Sequence, residues 1–311
     1  MHITDTVAAA SCLGRIGYYR LSGYWYSDRK SHILLDEKSG NFIPHPDTGF
    51  SQVIVEDDFK DGTTFQQVMD LYVFDKKLRL LLLDAIERIE VAMRVDIALL
   101  IGNRSPLVHR DPNELHGQFS KKIDPATGQT GHTKWLARLD ESFDRSKDEF
   151  VKHFKRKYAG QKLPIWIAVE LWDFGMMSVF LSGMKIADED RLAAKYNLPR
   201  KGLLTSIRNL NNVRNMCAHH SRLWNRSPAD QISCPKQGEV PLLDHLADDK
   251  IAQSRIYATV AVIQYFLRTI HPTSTWGERL KMHIATFPTS KVNNIAQAGF
   301  PSRWEDLPLW K

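Results

Sequence analysis

The chain has 311 residues, of which 43% are hydrophobic and 25% charged, with a formal charge of +6. That composition excludes a disordered or fibrous chain and supplies a sizeable core without a disulfide scaffold. The surplus of cations favours a polyanionic partner, though only mildly, because surface Lys and Arg also serve solubility. Three cysteines (Cys12, Cys217, Cys234) form neither a CxxC pair nor a zinc pattern, which suits a reducing compartment. No charged and then apolar leader opens the chain, and its apolar runs at 78–83 and 256–270 are short or interrupted. The expectation is a cytoplasmic protein with no membrane partner.

In chain order, the first irregularity is 31–61. There Ile33-Leu34-Leu35 and Val53-Ile54-Val55 flank a stretch rich in Gly, Pro, Asn and Asp, predicting a small hairpin or irregular insert. Helical periodicity then takes over. Thr63 or Thr64, each followed three residues later by Gln, predicts a capping-box start to a long helix over 62–102, closed by Gly102-Asn103. Its charges, among them Asp75, Arg79, Asp84, Glu87 and Arg94, read as a polar face. Further helices are expected over 133–158, 165–184, 189–196, 200–225, 250–270 and 277–285, with loops at 103–131 and 226–241. The aromatic-rich tail within 271–311 is expected to pack on the bundle. The whole, 1–311, reads as one all-α domain with a decorated insert.

The chemistry concentrates between Ser206 and Arg226. Asn and His are weak helix formers, yet this window carries five asparagines and two histidines. Ile207, Leu210, Val213 and Cys217 keep an apolar helical stripe, while Arg208, Asn212, Asn215, His219 and Arg222 recur opposite it at steps of three or four. At 100° per residue Asn215 and His219 share a face, and Arg214 reaches the same place only through its long side chain. Asn215 is suited to orienting the imidazole, Arg214 to gripping a phosphate, and His219 to moving protons at neutral pH. These are the parts needed to cleave RNA through its own 2′-hydroxyl, without a cofactor or metal. One histidine is half of a two-proton reaction. His220 points about 100° away, so a second copy of the chain, related by a two-fold axis, would complete the site.

Other readings of the same residues stand beside this one. Cys217, His219 and His220 offer metal ligands, but without usual zinc spacing. Cys217 beside His219 offers a nucleophile, but from the apolar side. The stripe, with His220 and Arg222, also fits a buried polar network that sets helix register. The aromatic residues of 18–26 fit either base stacking or core. The cluster Lys152, Lys155, Arg156 and Lys157 fits either RNA contact or a solvated helix end.

Arg214-Asn215-Met216-Cys217-Ala218-His219 resembles the R-x4–6-H motif of the HEPN superfamily. With it come Tyr18-Tyr19-Arg20-Leu21-Ser22-Gly23-Tyr24-Trp25, Phe74-Asp75-Lys76-Lys77-Leu78-Arg79, Ile86-Glu87-Arg88-Ile89-Glu90 and Leu223-Trp224-Asn225-Arg226. Together these resemble the Abi-like abortive-infection family over nearly the whole chain. The resemblance implies an all-α HEPN core, a homodimer with a composite site, and endoribonuclease toxin activity in bacterial phage defence, held in check by a cognate RNA or protein antitoxin. Arg214 and His219 match its catalytic positions and Asn215 its supporting one. Members usually carry more helix ahead of the Tyr-Tyr-Arg segment than the seventeen residues here, implying a start that is truncated or differently placed. The alternative function is a non-catalytic RNA-binding or sensor protein on the same scaffold, or a nucleotide-handling one.

Overall fold

The computed structural model describes residues 1–36, 39–44, 46 and 51–311. Its fold is mostly α-helical with small β additions, as the periodicity predicts. Helices α1 (Thr6–Ile16) and α2 (Tyr18–Trp25) lead into an antiparallel hairpin of β1 (Arg29–Ile33) and β2 (Val53–Phe59), with Ser31 opposite Val55 and Ile33 opposite Val53. The expected insert is therefore a hairpin, and its residues 37, 38, 45 and 47–50 lie outside the described ones.

The axis of the molecule is α3 (Phe65–Gly102), 38 residues long, which at 1.5 Å per residue spans about 57 Å. It starts where the sequence places it. The Thr64 hydroxyl accepts from Gln67 N–H, and the Gln67 side chain accepts from Thr64 N–H. Its buried face runs through Leu71, Leu78, Leu82, Ile86, Ile89, Met93 and Ile97. The charges of α3 do not all lie on a polar face, however. Asp75, Arg79 and Glu90 are buried, because they fall on the flank of the apolar stripe.

After α3 come α4 (Gly117–Ser120), the short pair β3 (Ile123–Asp124) and β4 (Gln129–Thr130), α5 (Gly131–Arg145), α6 (Glu149–Lys157), α7 (Ile165–Ala168), α8 (Phe174–Leu181), α9 (Ile186–Lys195) and α10 (Arg200–Ala218). The chain ends with α11 (Lys250–Ser254), α12 (Ile256–Ile270) and α13 (Trp276–Ile284), followed by 3-10 turns. Helices α2, α7, α9, α10, α12 and α13 all pack on α3.

Three expected helices are divided. The one over 133–158 breaks between α5 and α6, where Ser146 is extended and bonds Asp148 through its hydroxyl at 2.7 Å. Ser and Asp there offer the backbone a local alternative to helix. The one over 165–184 breaks at Asp173, whose carboxylate caps α8 by accepting from Met176 N–H at 2.8 Å. The one over 250–270 breaks at Arg255, where the tail crosses. Gly299 sits there at φ 88°, and a Cβ on it would lie 2.7 Å from the Arg255 Cβ. Only glycine satisfies both the backbone angle and the approach. The tail packs on the bundle as expected, with Trp304, Leu309 and Trp310 buried and Trp310 Nε1–H donating to the Tyr257 hydroxyl at 3.3 Å.

Among the described residues no helix is long and apolar enough to cross a membrane. The interior does hold one costly group. His109 is fully buried with neither ring nitrogen hydrogen-bonded, and burial, then the neighbouring Arg110 charge, pushes its pKa down to about 3. The unfolded chain protonates this residue near the ordinary value of about 6.5, so between there and 3 the unfolded state binds more protons. Acidification therefore destabilises the fold. From pH 6.5 to 5 His109 alone is expected to remove about 2 kcal/mol, and His109→Phe should flatten that part of a stability–pH curve measured by urea unfolding. An unchanged slope in that variant would exclude His109 as its source.

Candidate active site

Helix α10 is built as the spacing predicts on its inner side, where Leu203, Ile207, Leu210, Val213 and Cys217 are buried against α3, α8, α9 and α12. Its end is earlier than expected. The helix stops at Ala218 rather than near 225, and His219 is its C-cap at φ −88°, ψ 11°. His220 then adopts φ 57°. The His220 N–H donates to the Cys217 carbonyl at 3.1 Å and the Ser221 N–H to the Met216 carbonyl at 2.8 Å. This pair of bonds is a Schellman closure, in which glycine usually occupies the left-handed position. A histidine there holds backbone strain. His220→Gly is accordingly expected to raise stability by about 1 kcal/mol; a loss of stability on denaturant titration would mean that the His220 ring carries compensating contacts.

The turn from His219 to Trp224 is gripped from two sides. From α2, the Arg20 guanidinium donates to the His220 carbonyl at 2.6 Å, and Arg222 donates back to the Gly23 carbonyl. From α3, the Asp75 carboxylate accepts from the Leu223 N–H at 3.2 Å and the Trp224 N–H at 2.9 Å. Arg79 bonds Asp75 at 2.5 Å and reaches the Ser221 carbonyl at 3.3 Å, while the Tyr24 hydroxyl donates to Asp75 at 2.6 Å. Burial pushes the Asp75 carboxyl up; the Tyr24 hydroxyl, the Arg79 charge and the two backbone N–H groups pull it back. Burial, then the Asp75 charge, holds the Tyr24 hydroxyl protonated and so able to donate. Two segments far from it in the chain, α2 and α3, thus converge on the backbone that carries His219.

The other expected residues are distributed as follows. Arg214 is half-buried and Asn215 exposed; Arg214 donates to the Asn215 side-chain carbonyl at 3.4 Å. The imidazole bond expected of Asn215 is not the one its side chain makes, and it is the Asn215 backbone carbonyl that accepts from the His219 N–H, at 2.9 Å. His219 and His220 are exposed. Among the described residues the His219 ring takes no hydrogen bond. Arg208 is exposed, and Asn212 is half-buried with its Oδ1 unpartnered. Arg222 does not continue a helical stripe, because the helix has ended before it; it clamps α2 instead. The buried polar role on α10 falls to Asn209, which donates to the Asp230 carbonyl at 2.6 Å and accepts from Thr259 at 2.8 Å. Cys217 is buried, and burial, then the Asp75 charge, pushes its thiol up to about 12, so it is no nucleophile at neutral pH.

Two groups at this end of α10 were not singled out from sequence. Besides the Asp75 network there is Glu90, whose carboxyl is pushed up by burial and drawn back by the charges of Arg94 and Arg214. Arg94 donates both to Glu90 and to the Trp172 carbonyl. Glu90 is therefore the partner of Arg94 and also feels the Arg214 charge. The available signal was its place next to Ile86, Ile89 and Met93 on the buried stripe. Of the aromatic residues of α2, Leu21's neighbours Tyr24 and Trp25 are core, whereas Tyr18 and Tyr19 are exposed beside Arg20. The cations Lys152, Lys155, Arg156 and Lys157 belong to α6 and are not among the groups that hold the turn. Lys152 pairs with Glu149 at 2.7 Å, and Lys155 donates to the Asp144 carbonyl at 3.0 Å.

Residues 11–225 match the model of the Abi-like protein family. The chain belongs to the Abi-like protein family. The matched span takes in α2, the buried Asp75 and Arg79 of α3, and the whole of α10 with the turn that follows it. In this Abi-like protein, then, the match covers every residue of the convergence around His219. No curated protein and no solved structure matches the chain.

Proposed function

We propose that this Abi-like protein is a metal-independent endoribonuclease of the HEPN type, a toxin acting in bacterial abortive infection. Membership of the Abi-like family supports the phage-defence setting. The observation that carries the chemistry is the exposed His219 at the end of α10, with Arg214 and Asn215 in the preceding turn and its backbone clamped by α2 and α3. In this reading the Arg214 guanidinium holds the scissile phosphate and stabilises its extra charge as the 2′-oxygen attacks. An imidazole accepts the 2′-hydroxyl proton, and another returns one to the departing 5′-oxygen. The products are a 2′,3′-cyclic phosphate and a free 5′-hydroxyl.

Each chain supplies one such histidine, so the reading includes a homodimer with a shared site. The deciding experiment offers an RNA oligonucleotide and its 2′-deoxy counterpart to the protein in excess EDTA. Cleavage of the RNA alone, leaving cyclic phosphate ends, is expected. RNA binding with no cleavage by intact dimers would instead establish the non-catalytic sensor reading.

A further inference from the structure

We infer that a groove between the loop before α4, the end of α6 and the start of α7 is a second RNA-binding site, one that holds single-stranded substrate away from the cutting end of α10. Its volume is about 620 Å³, within the range of small-ligand pockets. Two aromatic rings open into it: Trp166, 53% exposed, and Tyr158, 39% exposed. A tryptophan exposed to this degree is unusual in a chain whose other large aromatics are mostly core, and its position is not loose. Its neighbours Ile165 and Ala168 are fully buried, and the Ile165 N–H donates to the Pro106 carbonyl at 2.7 Å. The ring is therefore held out on a fixed support, as a stacking platform requires.

The charge at the groove matches a phosphate backbone. Lys157 lies with Nζ 5.3 Å from the Tyr158 ring centroid, and Lys162 is part of the lining. Lys162 bonds Asp140 at 3.0 Å, but Asp140 also takes Arg110 at 2.8 Å, so one carboxylate faces two cations. Between 149 and 162 the chain carries five Lys or Arg against Glu149 alone. Exposed aromatic faces set among cations are the combination by which proteins hold single strands without reading sequence. An acidic peptide would use the cations but would leave the two rings idle.

Position adds a reason for the site. Gly102, at the end of α3, packs against α7, since a Cβ there would lie 3.0 Å from Ile165 and 3.8 Å from Trp166. Glu90, whose carboxyl feels the Arg214 charge on the α10 that packs against α3, is twelve residues back along the same helix, about 18 Å along its axis. A strand reaching from one to the other is several nucleotides long, so the groove selects extended single-stranded RNA over short fragments.

The inference rests on the ribonuclease reading for its substrate class, and its test separates the two. A fluorescein-labelled single-stranded 20-mer RNA is titrated into full-length His219→Ala protein in EDTA, with Trp166→Ala or Lys157→Gln/Lys162→Gln added to that background. Trp166→Ala is expected to weaken binding about 10-fold. The double lysine variant should lower the slope of log K against log salt by about 1.4, the value for two phosphate contacts on a single strand. Binding equal to the parent in both variants overturns the site. So does displacement of the RNA by polyglutamate at equal charge, which would make the groove a protein-docking surface, or loss of dimer in Trp166→Ala, which would make it an interface between copies. If both variants weaken binding while the protein with His219 intact cleaves nothing, the groove stands and the ribonuclease reading falls.

Discussion

Arg214→Ala and His219→Ala are each expected to slow RNA cleavage in EDTA by at least about 100-fold, and His219→Ala by up to about 10⁴-fold, with the fold intact. The size follows from the roles: a positioned proton-transfer group contributes about 10²–10⁴, and one donor to a developing charge about 10²–10³. Survival of the fold follows from exposure. His219 is exposed and Arg214 half-buried, and neither belongs to the core, so the change in stability should stay within about 1 kcal/mol, the larger part at Arg214 because its charge offsets the buried Glu90. Arg214→Lys is expected to recover only part of the rate, because an ammonium keeps the charge and loses the fork that matches a phosphate. Cleavage that persists in both alanine variants, with the same products, would remove the ribonuclease assignment. Cys217→Ala provides the contrast: its thiol is buried and protonated at neutral pH, so its loss should act through packing and leave the rate per folded molecule unchanged.

The second large effect is expected at a residue that touches no substrate. Asp75→Ala should destabilise the protein by about 3–5 kcal/mol, because it leaves the buried Arg79 without its carboxylate. Such a variant is prone to fail outright, so Tyr24→Phe is the sharper probe. It keeps the buried ring and deletes two hydrogen bonds to charged groups, one donated to Asp75 and one accepted from Arg79, at a cost of about 2–3 kcal/mol. Because the same carboxylate holds the N–H groups of Leu223 and Trp224, loosening it should also let the turn carrying His219 wander. The expected signature is a kcat reduced about 10-fold with KM unchanged, since a misplacement of about 1 Å at a reacting group can cost more than that. If Tyr24→Phe lowered the urea midpoint while kcat per folded molecule held, the network would be structural and would not position His219.

These two predictions draw on different parts of the reading. Asn215 and His219 stand out in the sequence because two weak helix-forming residue types recur within a helical window whose other side is apolar, with Arg214 beside them. That such residues recur in a helix points to a site or to a polar network. The same reasoning missed where the helix ends. A Schellman closure normally announces itself with glycine, and here His220 occupies the left-handed position, so local signals continue the helix to 225. Arg222 was placed on the stripe for that reason, and its actual bond to the Gly23 carbonyl depends on a segment about 200 residues away.

The charges on α3 teach the complementary lesson. Asp75, Arg79 and Glu90 are polar by type and sit at the edge of the apolar stripe by period, so periodicity alone assigns them to either side. Burial of a carboxylate is tolerated only where donors meet it; Arg79 and Arg94 supply part of this from α3 itself, and for Asp75 the rest comes from Tyr24 of α2 and the backbone of 223–224. Tyr24 and the 223–224 backbone are not local to α3.

By itself, the sequence determined the helical class, the capped start of α3, an insert before it, the packed tail and the identity of the residues at the end of α10, because each depends on local propensity or on a period of a few residues. Only the tertiary structure decided that α10 stops at Ala218, that the expected long helices break at Ser146, Asp173 and Arg255, and that His219 stands on a turn clamped from α2 and α3. Those outcomes are set by contacts between segments up to about 200 residues apart. Helix ends and buried charges are the features whose free energy is supplied by such distant partners.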